Sequence, residues 1–256
     1  MKLSVRKKVL PALLTVSVFL LIALSVWGMM YLHRSTVDSE MCNDEFCRVM
    51  DLGTDNDAAM TALYNDAESD TPAGMYLFTL SLSDWDSFER GVGSVPDAAP
   101  MILVLSDTGE KAKQTVDLLA EIISDAGQED GVCIMPADEE TARYLDMNYG
   151  EDSDICLTRG ACPEEARELP GLARRNVYGF EPAYRFVLLN MSGLEETGGV
   201  NTANSQLVNY AAAADVSVVY RGAESEGDLA YLYGIGARGA VTENIAAFNA
   251  VIAEAE

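Results

Sequence analysis

The chain has 256 residues, with 41 acidic against 17 basic side chains, one histidine and five cysteines, for a formal charge of −24. Such a field repels phosphate backbones, which excludes nucleic acid as a partner, and a single histidine excludes any chemistry that needs two imidazoles. The length suffices for one large domain with a real core.

Lys2, Arg6, Lys7 and Lys8 precede an uncharged apolar run over residues 9–32. As a helix this run reaches about 36 Å, enough to cross a hydrocarbon core of about 30 Å. Residues 1–8 are expected in the cytoplasm by the positive-inside rule, residues 9–32 as a signal anchor in the cell membrane, and everything beyond outside. Cleavage near Ala23-Leu24-Ser25 is the competing reading; the run continues past it to Trp27 and Tyr31, which favours an uncleaved anchor. The exported part keeps 13 basic residues against all 41 acidic ones, a formal charge of −28 (13 − 41).

Residues 33–74 are acidic and broken, and read as a stalk before an extracytoplasmic α/β domain over 75–256. Cysteine spacing in an oxidising compartment predicts disulfides Cys42–Cys47 and Cys156–Cys162, with Cys133 left as a buried thiol. From residue 75 onward, short apolar runs predict strands at 75–82, 101–105, 131–135, 154–158, 185–189, 216–220 and 239–241. Several are apolar throughout, as parallel strands covered on both faces are. Asp107 and Glu110 mark a capping box ahead of a helix with Ala112, Val116, Leu119 and Ile123 on one face. Further helices are expected around Thr141 to Leu145, around Leu207, Tyr210, Ala211 and Ala214, through Leu229, Leu232 and Tyr233 to a left-handed cap at Gly234, and through Ile245, Phe248 and Ile252. The alternation predicts a parallel β/α domain, either a TIM-like barrel, complete or lacking a unit, or an open doubly wound sheet. Gly234, Gly236 and Gly239 match a dinucleotide fingerprint in spacing but lie between a helix and a strand, and are read as loop geometry. Tyr178, Phe180 and Tyr184 are read as packing or rim residues.

Val216-Ser217-Val218-Val219-Tyr220-Arg221, a helix over Asp228 to Tyr233, and Gly239-Ala240-Val241-Thr242-Glu243 resemble the end of the glycerophosphodiester phosphodiesterase family, whose barrel closes with "V-x-V-W-T", a helix, "G-V-D-G-I-I" and "T-D". Upstream, Met101-Ile102-Leu103-Val104-Leu105-Ser106 resembles the family strand "I-E-L-K", and Val132-Cys133-Ile134-Met135-Pro136-Ala137-Asp138 its "V-x-I-x-S-F-D" segment. The resemblance implies a TIM barrel with a phosphodiester-binding mouth at the carboxyl ends of its strands. It also implies a divalent metal, Mg²⁺ or Ca²⁺, held by carboxylates, and two histidines for acid and base work. Val104 stands where the family has its metal-binding glutamate, and Ser106 where it has lysine. His33-Arg34-Ser35 echoes the "H-R-G" that ends the family's first strand, although it follows directly on the apolar run. Met50-Asp51-Leu52-Gly53-Thr54-Asp55 and Asn65-Asp66 echo "E-L-D-V" and "H-D".

A catalytic set surviving here would draw on His33, Arg34, Asp51 and Asp66, with Asp55 as a further metal carboxylate. The leading expectation is a domain with an eroded active site that binds or scaffolds. Arg159, Arg221, Asp107, Asp138 and Glu243, each just after a predicted strand, would then hold a small phosphodiester or an anionic headgroup. The alternatives are an active metal-dependent hydrolase and an unrelated extracytoplasmic interaction or sensor module.

Overall fold

Alternation of inward and outward side chains along short parallel strands determines the architecture. The computed structural model describes residues 46–67, 72–82, 100–127, 129, 131–151, 153–191 and 202–255, all within one compact unit, Ser39–Glu256. The expected span, His33, Arg34 and Cys42 lie outside the described residues. Among the described residues no helix is long and apolar enough to cross a membrane.

The strands are β1 (Cys47–Asp51), β2 (Met75–Leu80), β3 (Met101–Leu105), β4 (Val132–Met135), β5 (Thr158–Arg159), β6 (Phe186–Asn190), β7 (Ser217–Arg221) and β8 (Gly239–Val241). The described helices are α1 (Asn56–Ala67), α2 (Gly109–Ala126), α3 (Glu139–Tyr149), α4 (Pro163–Arg175), α5 (Ser205–Ala212), α6 (Glu226–Gly234) and α7 (Ile245–Ala255). All pairings are parallel, in the order β5-β4-β3-β2-β1-β8-β7-β6. A parallel bridge between Gly160 and Phe186 joins the two ends, with Arg185 N–H donating to the Arg159 carbonyl at 2.8 Å and Ala161 N–H to that of Phe186 at 2.7 Å. The ring therefore closes as a TIM-like barrel, and the open-sheet reading does not hold.

Val49, Met75, Leu77, Ile102, Cys133, Phe186 and Val219 pack inside the ring. Outward neighbours such as Leu103, Ile134, Val187 and Tyr220 pack beneath the helices in two larger apolar clusters. Gly239 enables β8 to lie against β1, since a Cβ there would stand 2.5 Å from the Cys47 carbonyl oxygen. In the turn ahead of β8 the left-handed residue is Gly236, at φ 80°, and not Gly234, which ends α6.

The stalk expected over 33–74 is corrected, because β1 and α1 lie within it and β1 sits between β2 and β8. The strand expected at 154–158 reduces to Thr158–Arg159. Cys156 and Cys162 are not joined: Cys162 is fully buried at the start of α4, its backbone N–H bonded to Glu165, while Cys156 is exposed. For the expected Cys42–Cys47 bridge only Cys47 is described, opening β1 with its thiol pushed up to about 11 by burial. Asp107 does not cap α2, whose N-cap is Thr108; its carboxylate accepts from Leu82 N–H at 2.5 Å and ties the end of β3 to the chain leaving β2.

Candidate ligand site at the barrel mouth

Every described strand delivers its last inward residue to the same end of a parallel barrel, the face on which such folds carry their sites. On β1 the inward series Cys47, Val49 ends at Asp51, and on β7 the series Val219 ends at Arg221. The ring order separates these strands by β8 alone. Arg221 Nη2 and Asp51 Oδ2 lie 3.5 Å apart, with side chains 41% and 38% exposed, an ion pair open to solvent. Asp51 is oriented by its own turn, in which Gly53 N–H donates to Oδ1 at 2.9 Å and Gly53 takes φ 74°. The Arg221 Nε is shielded from solvent and has no hydrogen-bond partner among the described residues. Asn190, at the end of β6, stands in register with Arg221, and Val104 and Met135 contribute apolar wall.

Other residues expected at this site do different work. Arg159 points outward from β5 and is 4% exposed. Its Nε and Nη2 donate to Asp146 at 2.6 and 3.0 Å, its Nη1 and Nη2 to Glu165 at 2.7 and 3.1 Å, and its guanidinium lies 5.7 Å from the centre of the Tyr184 ring. With four donors engaged by two carboxylates and the fifth by the Gly160 carbonyl at 3.2 Å, Arg159 pins α3 and α4 to the strand and has none left for a ligand. Asp138 is the N-cap of α3, accepting from Thr141 N–H at 2.7 Å. Burial pushes its carboxyl up, but amide hydrogen bonds from Thr141, Gly109 and Glu140 outweigh this and hold it below the ordinary range. Glu243 follows β8 and is exposed at the mouth face.

Asp66 is corrected as well. It is 7% exposed on α1, where it pairs with Arg48 and accepts from Ala73 N–H at 2.6 Å and from the Tyr76 hydroxyl at 2.9 Å. Asp55 accepts from Ala58 N–H at the start of α1, and Asn65 lies on an exposed face of that helix. Asp51, Asp55 and Asp66 thus have separate tasks. No three His, Cys, Asp or Glu side chains converge among the described residues, and the mouth pairs its strand-end carboxylate with an arginine. This donor set does not fit a divalent cation, which takes several oxygen ligands.

Asn190 was not singled out from the sequence, although a polar residue closing the apolar run Phe186-Val187-Leu188-Leu189 signals a strand end at the mouth. The first described strand ends at Asp51, followed by Leu52-Gly53, so Asp51 occupies a first-strand end, the place given above to "H-R-G".

Fold and site together define a parallel β/α-barrel protein with an arginine-bearing mouth. No family model and no curated protein matches the sequence. Among solved structures the chain is similar to a glycerophosphodiester phosphodiesterase from Parabacteroides distasonis, with a TM-score of 0.56 at 8% identity over 84% of this chain and 100% of that one. It is similar to a protein from Agrobacterium tumefaciens named as a glycerophosphoryl diester phosphodiesterase, with a TM-score of 0.55 at 9% identity over 82% of this chain and 98% of that one. A protein from Silicibacter pomeroyi named in the same way matches at 12% identity and a TM-score of 0.47, over 66% of this chain and 55% of that one. At these identities the likeness concerns the fold.

Proposed function

We propose that the chain is a membrane-anchored, extracytoplasmic barrel of the glycerophosphodiester phosphodiesterase type that has lost hydrolysis and binds, or scaffolds around, a small phosphodiester or anionic headgroup at its mouth. The observation that carries this reading is the Asp51–Arg221 pair, with Val104 packed into the barrel interior where the family has its metal-binding glutamate. Hydrolysis of a phosphodiester needs charge neutralisation at the phosphoryl group and a proton for the leaving alkoxide. One carboxylate opposed to one arginine supplies neither a metal site nor an acid and base pair. A binding role needs only the exposed guanidinium and a polar rim, both present at the strand ends. The anchor rests on the basic leader and the apolar run over 9–32.

The test uses the full chain in detergent micelles or vesicles. Glycerophosphocholine is incubated with Mg²⁺ or Ca²⁺, and released glycerol 3-phosphate is measured by a coupled dehydrogenase assay. No release above the protein-free control is expected; metal-dependent turnover overturns the loss of hydrolysis. Alkaline carbonate extraction and protease accessibility of sealed vesicles test the anchor and its direction.

A further inference from the structure

The mouth already holds a fixed positive charge. Resting on the ligand reading above, we infer that Arg221 takes the place of the divalent cation, so that this barrel holds its ligand without metal, and that Asp51 selects monoanions over dianions. The Arg221 side chain is 41% exposed at the mouth, and its Nη2 stands 3.5 Å from Asp51, beyond an ordinary hydrogen bond, so the pair is loose and open to solvent. An exposed guanidinium loosely paired in this way can turn its Nη donors to the oxygens of an anionic group. Thr79, Val104, Met135, Gly160 and Asn190, which end the inward series of β2 to β6, add no second positive charge. Arg221 therefore compensates one negative charge at most, and it already shares that charge with Asp51.

Asp51 sets the second half of the preference. Its Oδ1 accepts from Gly53 N–H at 2.9 Å, which orients the carboxylate beside Arg221. A phosphate monoester, dianionic at pH 7.5, meets this carboxylate with uncompensated charge. A diester carries one negative charge, and a hydroxyl or ammonium on its alcohol can approach Asp51 favourably.

The test is calorimetric titration of the full chain with glycerophosphocholine, a zwitterion whose diester phosphate carries one negative charge, and with glycerol 3-phosphate, whose phosphate is a dianion, at pH 7.5. Each is run with EDTA and again with Mg²⁺. Diester affinity is expected to be the same within about twofold in both, and the monoester to bind at least about fivefold more weakly. Arg221→Ala is expected to weaken the diester at least about tenfold, Arg221→Lys by less because the charge remains, and Asp51→Asn to bring the two probes within about twofold of each other. Thermal melts establish that each variant is folded. The inference is overturned if EDTA abolishes binding and Mg²⁺ restores it, if folded Arg221→Ala binds like the parent, or if the folded parent binds neither probe. Turnover of the diester in the same samples would remove the loss of hydrolysis while leaving the role of Arg221 standing, so the two failures are distinguishable.

Discussion

Arg48 on β1 and Asp66 on α1 form an ion pair of 2.5 Å whose two side chains are about 95% removed from solvent. The carboxylate also accepts from Ala73 N–H and the Tyr76 hydroxyl, so the charge is both paired and hydrogen-bonded. Arg48→Ala leaves Asp66 buried without its cation, and a loss of about 3–5 kcal/mol is expected from urea unfolding of the full chain. Burial pushes the Asp66 carboxyl up, but the Ala73 amide, Arg48 and Tyr76 together outweigh it and hold it below its ordinary value. Because the folded value is the depressed one, the stabilisation is present above the unfolded carboxyl range and is lost as pH falls through the folded value. Asp66→Asn is expected to flatten the acid limb of a stability–pH curve.

Arg159 and Arg221 differ in burial and in what engages them. Arg159→Met removes the clamp on Asp146 and Glu165, and a loss of about 2–5 kcal/mol is expected in the melt. Mouth affinity for glycerophosphocholine, measured below the lowered melting temperature, should stay within about twofold of the parent. Arg221→Ala is expected to show the opposite pattern, with a small change in melting and a large change in affinity, because the Arg221 pair is solvent-exposed.

A single cap tests the loop that follows β4. Asp138→Ala removes the acceptor for Thr141 N–H, and a destabilisation of about 1 kcal/mol is expected. Since the folded carboxyl is held low, that contribution should be present at neutral pH and fade as pH falls through the folded value. Thermal melts of parent and variant across the acidic range measure this.

Cys162 is a thiol without access. Burial pushes it up to about 12, and it is fully enclosed at the start of α4. Alkylation by iodoacetamide at pH 8 is expected to follow global unfolding, with mass mapping showing Cys162 modified only in denaturant. A peptide in which Cys162 is bridged to Cys156 under non-reducing conditions would contradict the geometry.

The barrel was legible in the sequence where strands are apolar throughout: β3 and β8 have the predicted bounds, and β4, β6 and β7 lie within one residue of them. β1 was hidden because Arg48 interrupts its apolar pattern, and what makes that residue acceptable is Asp66, on a helix that itself reads as acidic linker. α4 carries a proline at its first position and two glutamates in its first turn, which is a helix-start signal readable in the sequence. Asp51 and Arg221 were each singled out, but their meeting depends on ring closure, which no local pattern encodes. Arg159 was misread because a strand of two residues does not reveal which side faces inward; the acids that neutralise it lie on helices before and after it.

The ring is not uniformly stitched. β2 and β3 share a five-residue register, whereas β5 and β6 meet through a single bridge flanked by two backbone hydrogen bonds. That joint is the narrowest seam among the described strands, so opening of the ring is expected to start between Gly160 and Phe186, and amide hydrogen exchange should be faster at Arg185 and Ala161 than in β2 and β3. β6 carries Asn190 and adjoins the strand bearing Arg221, so this seam borders the Arg221 side of the mouth, while Asp51 lies on a strand paired with both β2 and β8. The two partners of the mouth ion pair therefore stand at unequal distances from the thinnest seam of the ring.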